Sequence, residues 1–471
     1  LSVKELLLRK KPIGRLEAQA YRNQLNRSMG ALDLTALGIG AIIGTGIFVL
    51  TGVASALYAG PAVVISFLIS GFAAGLAALC YAELSAMVPV AGSAYTFTYT
   101  AMGEVIAWLI GWNLILEYLV AAGAVAVGWG SYFADMLSSI GISLPVAITH
   151  SPFEGGVFNL PAVVIALLVM LLVIRGTKES AKLTKIIVAI KLLVVALFII
   201  VGVFYVHKKN FTPFMPYGFP GIIQGSAIVF FAYIGFDAVS TAAEEVKNPK
   251  RDLPRGIIAS LIVSTVLYVL VALVVNGMMP YTELNTPSPI STALLSVGIR
   301  WASAFISVGA LAGLTSVLIA VMFAQTRIFF AMSRDGLLPP LFGRVHKKFE
   351  TPYVGTLIVG ILIALVGAFF PVDFIAQMAN IGTLSALVVV AIGVIILRRT
   401  QPTLERPFRV PWVPWVPALS ALMSVYLMFN LPLATWVRFV VWILIGIVIY
   451  YFYGRRHSAL NTPPAAPQSR V

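Results

Sequence analysis

Residues 38–48 read Gly-Ile-Gly-Ala-Ile-Ile-Gly-Thr-Gly-Ile-Phe, inside an apolar run from about Leu32 to Leu57 that is long enough to cross a bilayer as one helix. Gly44-Thr45-Gly46 falls near the middle of that run. Each glycine in a helix interior costs about 1 kcal/mol against alanine, so the spacing predicts a break there. In lipid, a broken backbone persists only where protein or a water-filled cavity satisfies its polar groups. Such a break offers amides and a helix N-terminus to an anion, and free carbonyls to a cation. A free amino acid carries both charges. Two other readings compete: glycines that merely let helices pack closely, and a soluble dinucleotide loop. The second fails on spacing, because Gly38-x-Gly40-x-x-x-Gly44 is one residue off the phosphate-binding pattern and follows no strand.

Composition sets the class. Of 471 residues 59% are hydrophobic and 11% charged, and the mean hydropathy is +0.96. A soluble domain of this length is excluded, and a polytopic, all-α membrane protein is expected. Twelve apolar stretches can be marked, at about 32–57, 61–87, 102–130, 160–175, 184–206, 220–243, 256–279, 291–332, 353–370, 373–397, 411–429 and 433–453. Residues 1–31 form a basic arm, too charged for a cleavable signal peptide, so the first span is expected to act as its own insertion signal.

The net charge of +14 follows topology. With the N-terminus inside, 27 of the 32 Lys and Arg fall on the cytoplasmic side, while Lys208, Lys209, Arg300 and Arg438 fall outside and Lys191 lies within a span. That bias places both termini in the cytoplasm of a cell-membrane protein and names anionic lipid, not nucleic acid, as partner of the basic excess. The single cysteine, Cys80, sits within the second span, which argues against a disulfide-linked heavy chain. The four histidines are scattered without metal-ligand spacing, and HExxH or GxSxG patterns are absent, so neither a metal site nor an enzyme is expected.

A few charged residues lie deep in spans. Glu117 is about fifteen residues from either end of the third span and must face a cavity, find a partner or carry a proton. Lys191 lies six residues, roughly 9 Å of helix, past the interfacial Lys185. Glu83, at the inner end of the second span, is expected to pair with a nearby base. The sixth span reads Phe230-Phe231-Ala232-Tyr233-Ile234-Gly235-Phe236-Asp237, again with a mid-span glycine. Interrupted spans at positions one and six point to an inverted-repeat transporter. Residues 32–206 (spans 1–5) and 220–397 (spans 6–10) would be the repeats, 411–453 two appended spans, and 454–471 a tail disordered from Asn461.

Gly-Thr-Gly-Ile-Phe at 44–48, Tyr-Ala-Glu-Leu-Ser at 81–85, Gly-Ser-Ala-Tyr at 92–95, Phe-Asp-Ala at 236–238 and Glu-Glu-Val-Lys-Asn-Pro at 244–249 resemble the amino acid–polyamine–organocation (APC) transporters, in particular the cationic amino acid transporter branch and its bacterial relatives. The resemblance covers residues 30–455 and implies a LeuT-like 5+5 inverted repeat with unwound helices 1 and 6. It implies that the substrate carboxylate binds amides of Gly44, Thr45 and Gly46, and that the amino group binds carbonyls matching Ile42, Phe231 and Ile234, with Ile43 in the same binding segment. Phe231 resembles an aromatic gate, residues near Met322 would line the side-chain compartment, and Lys191 resembles the lysine that replaces sodium in proton-coupled members.

These readings converge on import of L-amino acids by proton symport, with Lys191, Asp237 and Glu117 as proton-coupling candidates and sodium not expected. Val321 and Met322 favour neutral cargo, alanine-sized upward. Cationic cargo, amino acid exchange and a nutrient-sensing receptor on the same fold are the alternatives. A small accessory membrane subunit is compatible with this reading.

Overall fold

The computed structural model describes residues 9–10, 29–88, 93–176, 180–243, 246–286, 288–347, 349 and 351–461. Most of the basic arm, Gly92, Glu244, Glu245 and the tail beyond Asn461 therefore lie outside the described residues, which are mostly helical. Among the described residues eight helices are long and apolar enough to cross a membrane, and four shorter apolar ones accompany them: Ala31–Ile42, Leu160–Arg175, Tyr353–Phe369 and Trp415–Phe429. The 42-residue stretch read as an eighth span at 291–332 is two helices, Pro289–Ser296 and Arg300–Arg334, separated at Gly298, whose φ of 81° only glycine adopts at low cost.

The first apolar run forms helix α1 (Ala31–Ile42), turns extended at Ile43 (φ −76°, ψ 99°), and resumes at Gly46 as a π-helical stretch to Leu50. α2 (Thr51–Ala54) and a second π-helical stretch (Ser55–Ala59) complete it. α3 (Val63–Met87), α4 (Ser93–Ala101), α5 (Glu104–Ser139), α6 (Leu160–Arg175) and α7 (Ser180–Gly202) follow. The sixth run repeats the interruption. α8 (Gly218–Val229) tightens into a 3-10 turn over Phe230–Tyr233, becomes extended at Ile234 and takes φ 112° at Gly235 before α9 (Ala238–Thr241). The remainder comprises α10 (Pro249–Met278), α11 (Pro289–Ser296), α12 (Arg300–Arg334), α13 (Tyr353–Phe369), α14 (Val372–Thr400), α15 (Trp415–Phe429) and α16 (Leu433–Ile449).

Packing sorts these helices into two groups. α10 packs on α1 and on α3, which in turn packs on α8; α5, α6, α12 and α13 form the second group, with α7 bridging α1 and α12. Small residues and hydroxyls carry the first group's contacts, as expected where apolar tails offer no hydrophobic drive. Ser66 and Ser70 on α3 donate to the carbonyls of Ile222 (2.8 Å) and Ser226 (2.7 Å) on α8. A Cβ on Gly38 would come within 2.5 Å of the Ser260 hydroxyl of α10. Outward faces remain apolar, as at Leu193 (67% exposed) and Leu444 (54%), the pattern of a lipid-facing surface.

Glu83 meets the bases that its position called for. Arg398 donates to it bidentately (2.8 and 2.7 Å), Arg406 approaches at 3.4 Å, and the Val410 amide donates at 2.7 Å. The network fastens α3 to the end of α14 and its following loop. Asp33 likewise pairs with Lys185 across α1 and α7.

Candidate functional site

The two breaks meet. A Cβ on Gly46 would lie 2.3 Å from Cα of Ala232, and one on Gly235 would lie 2.9 Å from the Ala41 carbonyl oxygen. Both glycines therefore serve close packing, Gly46 where the first run resumes its helix and Gly235 within the second break. Around this junction lies a cavity of about 20 Å³. Ala41, Ile42, Gly44, Thr45 and Gly46 line it from the first break, Phe231 and Ile234 from the second, Ala121 and Val125 from α5, and Val317 and Val321 from α12. None of these carries a charged side chain.

The backbone groups at the junction divide by partner. Ile47 and Phe48 both donate to the Gly44 carbonyl (3.2 Å each), which leaves the preceding amides at the N-terminal end of the resumed helix. The Ile42 carbonyl accepts from the Tyr268 hydroxyl (2.9 Å), which also reaches the Ala232 carbonyl at 2.6 Å. One hydroxyl thus bridges both breaks. Phe231 offers its carbonyl to the Ile234 amide (3.2 Å).

Lys191 is fully buried on α7, and its ammonium donates to the carbonyls of Gly40 (2.9 Å) and Ile43 (2.7 Å). Its stem packs on α12, where a Cβ on Gly313 would fall 2.9 Å from Lys191 Cε. The Ile43 carbonyl is therefore engaged by the lysine, and Ile43 does not line the cavity.

Glu117 and Asp237 form a separate buried group. Asp237 accepts from the hydroxyls of Tyr118 (2.6 Å) and Ser93 (3.2 Å). Glu117 neighbours Asp237, and its Oε2 has no hydrogen-bond partner among the described residues.

Of the two eighth-span residues expected at the side-chain compartment, Val321 lines the cavity and Met322, though fully buried, does not; Val317, one helical turn before Val321, also lines it. A step of one residue turns a helical side chain by about 100°, so a register error of one moves it off the wall. Ala121 and Val125 went unread, although they stand four and eight residues after Glu117 on the same helical stripe. Continuing that stripe, a Cβ on Gly128 would meet the Thr45 hydroxyl at 3.1 Å, and Tyr132 donates to the Phe48 carbonyl at 2.8 Å.

Residues 29–451 match the family model described as amino acid permease. The chain is 50% identical over 457 residues to a methylthioribose transporter of Bacillus subtilis (strain 168), covering 97% of this chain and 99% of the relative. It is also 50% identical over 467 residues to the branched-chain amino acid permease BcaP of the same organism, covering 98% and 100%. A vacuolar cationic amino acid transporter 4 of Arabidopsis thaliana is 32% identical over 567 aligned positions, covering 94% of each.

Proposed function

We propose that this chain, which belongs to the amino acid permease family within the APC superfamily, imports neutral L-amino acids across the cell membrane by proton-coupled alternating access. It is a transporter and not an enzyme. The observation that carries the finer reading is the meeting of two helix breaks on an apolar cavity lined by no charged side chain. Amides of Gly44, Thr45 and Gly46 suit a carboxylate at a helix N-terminus. Carbonyls of Ile42, Phe231 and Ile234 suit the ammonium, with Tyr268 yielding Ile42 as the ammonium arrives. Val317, Val321, Ala121 and Val125 then face the cargo side chain.

Relatives of equal identity bear names for different cargo, a thioether sugar in one and branched-chain amino acids in the other. Kinship therefore does not choose between them. The valine-rich wall supports a small or branched neutral amino acid over a cation, which would need an acid at its far end.

In the same reading the spans number twelve, arranged as a LeuT-like 5+5 repeat plus two, with both termini cytoplasmic. Lys191 stands where a coupling sodium would otherwise satisfy carbonyls. Proton carriage falls to Lys191, Asp237 and Glu117.

Liposomes holding the purified protein test this. Labelled L-alanine and L-leucine should accumulate under an inward proton gradient, with a sodium gradient giving no more than the ungraded control. Arginine in excess should leave the accumulation unchanged. Flux only after preloading with amino acid would make the protein an exchanger, and strong competition by arginine would overturn the neutral assignment.

A further inference from the structure

Helix α4 is nine residues long and every one is buried. At its start Ser93 takes a left-handed backbone (φ 51°), which non-glycine residues rarely adopt, and donates to Asp237 at 3.2 Å. About 9 Å further along, Tyr99 donates to Glu104 at 3.0 Å. Glu104 is fully buried and also accepts from Tyr450 (2.9 Å) and Ser458 (2.6 Å), both in the segment after α16. Its amide donates to the Arg9 carbonyl at 2.9 Å. The same segment grips the end of α12: the Ala459 amide donates to the Asp335 carbonyl (2.9 Å), while Tyr95 of α4 donates to the Asp335 carboxylate (2.8 Å). Gly336 admits the segment, since a Cβ there would stand 2.1 Å from the His457 carbonyl oxygen.

We propose that Tyr450–Asn461 is a clasp, and that Glu104 is the positioning residue through which it fixes α4, so that Ser93 holds Asp237 and the inner end of the cargo path stays shut. The assignment of that end as inner rests on the transport reading above. Inward opening separates α4 from the broken sixth span, and the clasp opposes it at the far end of the same short rod. Releasing the clasp leaves Tyr118 on Asp237, so the shift is in the balance between shut and open states, and the fold persists.

The test uses the full chain with Cys80→Ala and a single cysteine at the buried Ala94, next to Ser93, followed by maleimide labelling. Losing hydrogen bonds to a buried carboxylate should speed labelling about tenfold in Ser458→Ala with Tyr450→Phe. Ser458→Thr, which keeps the hydroxyl, should label at the parent rate. Thr435→Val removes a buried bond to Gln377 (2.9 Å) near the opposite end of α16 and serves as the control for general loosening. It should lower the thermal midpoint without faster labelling. Parent-rate labelling in the double variant, or equal acceleration in Thr435→Val, would overturn the clasp. Should the double variant not fold, Ser458→Ala alone supplies the comparison. Labelling needs no cargo, so the outcome stands whether or not neutral amino acid uptake is found.

Discussion

Lys191 places an ammonium against the end of a half-helix, where the last carbonyls lack intrahelical donors and the helix dipole is negative. Two of those oxygens, on Gly40 and Ile43, take its hydrogen bonds. In the proposed transport cycle this fixed cation takes the place of a coupling sodium. In Lys191→Met the carbonyls lose that partner, and proton-driven uptake into liposomes is expected to vanish; driven uptake at the parent rate would refute the role given to the lysine. The depth of Lys191 was legible from its distance past Lys185. Its partners were not, since they come from a helix some 150 positions earlier. Met322 makes the complementary point: residue type and rough depth could be read, but the side of the helix could not.

Each broken helix is an element whose interruption is written locally and completed by the other. Gly44-Thr45-Gly46 and Gly235 are signals that a single span provides. The approach of Gly46 to Ala232 and of Gly235 to Ala41 exists only because the two spans cross. Gly46→Ala forces a methyl into backbone, an overpacking expected to lower stability by about 1–3 kcal/mol and to abolish uptake. Thermal unfolding in detergent, read alongside uptake, checks both. An alanine variant with parent stability and parent uptake would mean that the breaks do not touch in the working protein. The anchoring of Glu83 by Arg398 and Arg406 was half legible: a buried carboxylate at a span end demands a base, but which base depends on how α14 lies against α3.

At the scale of the whole molecule, the uneven distribution of Lys and Arg orients the chain, with both termini expected in the cytoplasm. A cysteine replacing Phe153, which is 74% exposed, should react with an impermeant thiol reagent on intact cells. One replacing Glu405, whose side chain is 76% exposed, should react only after permeabilisation. The reverse pattern would invert the topology. Cys80 is buried and should contribute little background.

Membrane class, the apolar runs, the two interruptions and the depth of the intramembrane charges follow from the sequence by itself, because hydropathy and glycine spacing act along the chain. Which walls enclose the cavity, which carbonyls Lys191 and Tyr268 occupy, and how the segment after α16 reaches Glu104 were decided only in the tertiary structure. Those contacts depend on helix rotation and on crossings between distant spans. A one-residue change of register alters them while leaving composition and periodicity almost untouched.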